Sequence, residues 1–115
     1  MSPRDIRSRL EDILTAIEET IDSTAGMAKA EFCGNRTLIK AVMMNFIIIG
    51  ESAGNIPVEI QKNHSDVPWQ DMKRMRNAVT HSYFRLDLDT MWKTIHRDLP
   101  PLIPQIRTIL DNLDK

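Results

Sequence analysis

The stretch Lys40-Ala41-Val42-Met43-Met44-Asn45-Phe46-Ile47-Ile48-Ile49-Gly50-Glu51 decides the fold. With Leu38 it reads as a helix capped by Asn35 after Gly34, and it runs on to about Gly54 with hardly a polar face. A helix apolar all round must be covered all round. Two arrangements satisfy that in so short a chain: part of the surface meets a second copy across a two-fold axis, or one protomer buries the helix completely. The apolar residues 41–50 are bounded by Lys40 and Glu51 and interrupted by Asn45, short of the roughly 20 residues that cross a bilayer. A membrane span is therefore not expected.

Outward from this segment every signal is helical. Ser2-Pro3 offers a cap and a first-turn proline, and Ile6, Leu10, Ile13, Leu14, Ile17 and Ile21 follow at spacings of three and four up to about Thr24 to Gly26. A short helical turn is expected over 27–32. Pro57 and Pro68 bracket another short helix with Val58 and Ile60, and Asp66 is expected to start a helix through Trp69, Met72, Met75 and Val79. Tyr83-Phe84-Arg85-Leu86 reads as a break, after which Asp87 or Asp89 caps a helix with Met91, Trp92 and Ile95. Leu99-Pro100-Pro101 kinks or restarts the chain before Leu102, Ile106, Ile109 and Leu113 resume helical spacing. No alternating strand pattern or repeat occurs, so the expectation is one all-α domain over residues 1–115.

The 115 residues are 42% apolar, enough for an ordinary core, and the single Cys33 excludes an internal disulfide. The N-terminus does not resemble a signal peptide, which points to a reducing cytoplasm. A net charge of −1 argues against coating nucleic acid by bulk electrostatics. Locally, Lys73, Arg74, Arg76 and Arg85 fall between 73 and 86 with no acid, which reads as a positive patch or as a solvated face.

The chain has no Gly-rich phosphate loop, no Cys-x-x-Cys and no His-Glu-x-x-His. His64, His81 and His96 are spread over separate elements and suggest no metal site, and no cofactor is implied. The run Arg76-Asn77-Ala78-Val79-Thr80-His81-Ser82-Tyr83 is what remains. On a continuous helix Tyr83 returns to within about 20° of Arg76, whereas His81 is rotated by about 140° from it. Either the helix ends before His81, or the same run of a second chain completes the site. The residue types fit cleavage of RNA by its own 2′-hydroxyl: histidine moves the proton and arginine stabilises the charged phosphorane, with no metal required. They fit equally a cationic cap on a helix C-terminus with a packing tyrosine.

The spacing Arg-(four residues)-His-x-Tyr at Arg76, His81 and Tyr83, with Asn77 after the arginine, resembles the signature of HEPN-domain ribonucleases of the HepT-like toxin group. Arg9-Leu10-Glu11-Asp12-Ile13-Leu14, Ile48-Ile49-Gly50-Glu51-Ser52-Ala53, Val67-Pro68-Trp69 and Asp87-Leu88-Asp89 on to Trp92 and Asp98-Leu99-Pro100 extend the resemblance. It implies a four- to five-helix bundle, a homodimer whose two motifs line a cleft, and metal-independent cleavage of RNA as the toxin of a type VII-like toxin–antitoxin pair. Arg76 and His81 are then catalytic and Asn77 their polar neighbour. Tyr83 is the site where a nucleotidyltransferase antitoxin attaches AMP. The other role the resemblance offers is a non-catalytic partner or ligand-binding subunit of a nucleotidyltransferase. Glu51 at the close of the apolar helix is expected to pair with Arg76 and hold it if it is buried, because a buried carboxylate needs a partner; the other reading is a solvent-facing residue at the helix end.

Overall fold

The computed structural model describes residues 1–82 and 87–114, and the side chains of 1–80 and 87–114. Each long helix starts on a local signal. In α1 (Pro3–Thr24) the Ser2 hydroxyl accepts the Asp5 N–H at 3.2 Å while the Asp5 carboxylate accepts the Ser2 N–H and hydroxyl, a closed capping box ahead of a first-turn proline. Gly26, at φ 73°, turns the chain out of this helix. The short α2 (Lys29–Cys33) buries Phe32, and Asn35 caps α3 (Arg36–Gly54) by accepting the Leu38 N–H at 3.0 Å.

After α4 (Val58–Asn63), α5 (Trp69–Ser82) starts differently from the expectation placed on Asp66. The first α5 hydrogen bond runs from the Met72 N–H to the Pro68 carbonyl, and Asp66 instead receives the Gln105 amide through its backbone carbonyl and carboxylate. Of the two acids offered for the next start, Asp87 caps α6 (Leu88–Lys93), accepting the N–H groups of Asp89 and Thr90. A π-helical turn, Thr94–Asp98, follows directly, with the Leu99 N–H donating five residues back to Thr94. Pro100 and Pro101 cannot donate to the carbonyls an α-helix would offer them, so the chain stops and restarts as α7 (Leu102–Leu113).

Helices are the only regular secondary structure among the described residues, with no strand. Four long helices make the body, with α6 and its π-turn as a fifth element, and α2 and α4 are connecting turns. Their contacts give the order α5, α3, α1, α7, so α3 lies between α1 and α5. The core is the apolar seam of these faces: Leu10, Ile13 and Ile17 of α1, Val42, Ile49 and Ala53 of α3, Met72 of α5, and Ile106 and Ile109 of α7. Asn45, the one polar interruption of the apolar stretch, donates its amide to the Thr20 hydroxyl at 3.0 Å, and that hydroxyl donates to the Ala16 carbonyl, so the α1–α3 register carries one satisfied polar link.

The helix α3 reaches 19 residues with a mean hydropathy of 1.3, long and apolar enough by composition to cross a membrane. The length argument from residues 41–50 alone is thus too strict; what distinguishes α3 is that Val42, Phe46, Ile49 and Ala53 are packed into the core. Its burial is one-sided. Met44 stays 56% exposed and Met43 and Ile47 half-buried beside it.

Candidate active site on the α3–α5 seam

Glycine is a poor helix interior residue, and Gly50 sits inside α3 for a steric reason. A Cβ there would stand 2.4 Å from the Cβ of Arg76, 2.9 Å from its backbone nitrogen and 3.0 Å from the Met72 carbonyl oxygen. The two helix backbones are in contact at this point. Toward the other end of the seam, Met43, Met44 and Ile47 line a shallow groove with Val79 and Thr80, so α3 and α5 run antiparallel.

The close approach sets Glu51 against the motif. Arg76 Nε donates to Glu51 Oε1 at 2.6 Å, and Arg76 Nη1 donates to Asn77 Oδ1 at 3.3 Å. The pairing expected of Glu51 is present, but its expected cause is not: the two side chains are 49% and 42% exposed, so burial does not compel it. A pair this exposed adds at most about 1 kcal/mol to stability. Its effect is orientation: with Nε on Glu51 and Nη1 on Asn77, the Nη2 donors of the planar guanidinium are the ones left for another acceptor among the described residues.

Of the four cations of the expected positive patch, two are paired with carboxylates. Arg74 pairs with Asp71 at 2.7 Å and Arg76 with Glu51, while Arg85 lies outside the described residues. Lys73 makes no ion pair among the described residues.

Helix α5 continues through Ser82, which removes the alternative in which it ends before His81. Positions 76 and 81 therefore stand about 140° apart around one unbroken helix. The side chain of His81, and Tyr83 altogether, lie outside the described residues. Of the other histidines, His64 ends α4, and His96 stacks on Trp92 at 3.9 Å between ring centroids with Nδ1 2.9 Å from the Trp92 carbonyl. Among the described residues no three His, Cys, Asp or Glu side chains are grouped to hold a metal ion. Gly50 is the contact position beside the motif whose part sequence reasoning passed over; it stood out only as a glycine inside an apolar helix and within a stretch of the family resemblance.

The ribonuclease HepT-like family matches residues 13–109, a span that contains Gly50, Glu51 and the whole motif. A probable ribonuclease HepT of Thermococcus cleftensis is 36% identical over 99 residues, 86% of this chain and 90% of that protein. A protein of Caldanaerobacter subterraneus subsp. tengcongensis named as a candidate RNase is 35% identical over 104 residues, 90% and 93% of the two chains. A Methanocaldococcus jannaschii protein whose name joins a gamma-glutamylcyclotransferase to a candidate RNase is 31% identical over 112 residues; these are 97% of this chain, which spans half of that longer protein. No solved structure matches the chain. The family match over most of the sequence, together with relatives of similar length at this identity, establishes that the chain belongs to the ribonuclease HepT-like family.

Proposed function

We propose that the chain is an endoribonuclease that cuts RNA without a metal ion, at a composite site assembled from the motifs of two copies. The observation that carries this reading is the geometry of α5: Arg76 is anchored by Glu51 on a helix that runs unbroken past position 81, so one copy does not bring Arg76 and His81 to one phosphate. A second copy supplies what is missing. The one-sided burial of α3, with Met44 exposed and Met43 and Ile47 half-buried alongside the motif helix, supports an interface in the same place.

In such a cleft one His81 takes the proton of the ribose 2′-hydroxyl as its oxygen attacks phosphorus, and the same histidine of the second copy gives a proton to the departing 5′-oxygen. The products are a 2′,3′-cyclic phosphate and a 5′-hydroxyl end. Arg76 offers Nη2 donors to the non-bridging oxygens, where preorganised donors are worth on the order of 10²- to 10³-fold in rate. On the same reading the protein is the cytoplasmic toxin of a toxin–antitoxin pair, restrained by a nucleotidyltransferase that transfers AMP to Tyr83. That modification adds a bulky anion seven residues from Arg76, which competes with the RNA phosphate.

The test combines chelation with subunit mixing. Purified protein should cleave RNA in excess chelator, and Arg76→Ala and His81→Ala should each abolish cleavage; loss on chelation, or full activity in both variants, overturns the assignment. Refolding wild-type with an equal amount of His81→Ala chains then separates the architectures. A site needing both histidines leaves about a quarter of the activity, and a site within one chain leaves about half.

A further inference from the structure

The two arginines of the motif helix add little net attraction for a polyanion. Arg76 is matched by Glu51 at 2.6 Å and Arg74 by Asp71 at 2.7 Å, so these four side chains sum to no net charge. RNA binding rests on cations that neutralise phosphates and release counterions, so lysines without a carboxylate partner beside these two pairs gain importance.

Two lysines are so placed. On α5, Lys73 precedes Thr80 by seven residues, which puts them within about 20° on one face and about 10.5 Å apart along the axis. Arg76 and Asn77 fall between them, one to each side of that line. Across the seam, the exposed Lys40 lines the groove of about 260 Å³ that Thr80 also lines, at the C-terminal end of α5. Among the described residues neither lysine makes an ion pair. The order along the seam is thus Lys73, then Arg76 with Asn77, then Thr80 with Lys40.

Building on the ribonuclease reading, we propose that Lys73 and Lys40 bind the RNA backbone on either side of the phosphate that Arg76 addresses, so the strand follows α5 and passes Lys40 at the edge of the Met43, Met44 and Ile47 face given above to the second copy. Both contacts are to phosphate and carry no base preference.

Salt dependence tests this directly. For a single strand, log K falls against log salt with a slope of about −0.7 per neutralised phosphate. KM for an unstructured RNA is measured from 50 to 200 mM salt for the wild type, Lys40→Ala, Lys73→Ala, the double variant, and Lys40→Arg with Lys73→Arg. Each alanine is expected to flatten the slope by about 0.7, so the wild type weakens about 2.6-fold more than either single variant over that range, while the arginine pair keeps the full slope. Unchanged slopes in the alanine variants overturn the proposal. So does a slope that stays put while Lys40→Ala weakens self-association in sedimentation, since Lys40 then serves an interface. A wild type that cleaves no RNA overturns the ribonuclease reading instead; the same slopes, measured by binding to a 2′-deoxy strand, still decide the fate of the lysines.

Discussion

Replacing Gly50 by alanine puts a methyl group where the structure has no space for one. The added carbon would meet Arg76 Cβ at 2.4 Å, against the 3.4 Å or more of ordinary contact, so α5 must withdraw from α3 locally by about 1 Å. The Arg76 nitrogen at 2.9 Å and the Met72 carbonyl at 3.0 Å belong to helix backbone and cannot swing aside as a flexible side-chain end does. Overpacking of this kind costs about 1–3 kcal/mol, from which about 0.5–1 kcal/mol is recovered because alanine suits a helix better than glycine. The net is a loss of roughly 1–2 kcal/mol, or about 4–8 °C in Tm for a domain of this size. The effect on activity should be larger in proportion. The displaced element carries Arg76 away from Glu51, and a 1 Å error in a reacting group costs on the order of 10²-fold in rate.

Gly54 provides the control within the same helix, since a Cβ built there meets nothing within 4 Å. Gly54→Ala should leave Tm unchanged or raise it slightly, with cleavage unaffected. Thermal unfolding of both variants, paired with single-turnover cleavage of a labelled RNA, reads both quantities. A Gly50→Ala protein as stable and as active as the wild type would refute the steric argument, and with it the claim that this contact positions Arg76.

Glu51→Gln removes the charge but keeps an acceptor near Arg76 Nε. Because the pair is half exposed, denaturant unfolding should shift by less than about 1 kcal/mol. The single-turnover rate should fall on the order of tenfold, less than the 10²- to 10³-fold expected for losing the donor itself. Acid unfolding should report the helix caps. Asp87 is held below the ordinary aspartate range chiefly by the Thr90 hydroxyl, then by the Thr90 and Asp89 N–H groups, and Asp5 chiefly by the Ser2 hydroxyl, then by the Ser2 N–H. A carboxyl depressed in the folded state contributes stability that is present above its unfolded value and is lost as pH falls through the folded one. Asp5→Asn with Asp87→Asn should lower Tm at neutral pH and flatten its decline below about pH 4, and an acid limb identical to the wild type would argue against both caps.

What the sequence discloses is what is settled within a few residues. The Ser2–Asp5 box, the Asn35 cap and the Asp87 cap are contacts over two or three positions, so residue types at fixed spacing suffice to find them. The apolar run 38–49 is equally plain, because a helix that must be covered on most sides has little room for polar residues. Asp66 misleads for the complementary reason: it has the right composition for a cap, but α7 brings Gln105 to it across 39 residues of sequence. Gly50 is hidden in the same way. Its meaning depends on Arg76, which is distant in the chain and adjacent in space. The π-turn at Thr94–Asp98 lies between these cases, since Pro100 and Pro101 announce that a helix ends without saying that it first widens.

The Glu51–Arg76 pair reconciles a slightly acidic chain with a polyanionic substrate. An arginine already paired at 2.6 Å contributes little net field at a distance, so it is a weak attractor and a precise donor. Charge for attraction is then better placed on residues without a carboxylate partner, and Lys40 and Lys73 meet that condition among the described residues. The two tasks separate physically. On the proposed reading, attraction is screened by salt and tolerates a displaced side chain, whereas the arginine would act over hydrogen-bond distance and depend on the α3–α5 contact at Gly50. Changes in the lysines should therefore appear in the salt dependence of KM, and changes at Gly50 or Glu51 in the rate of the bound complex.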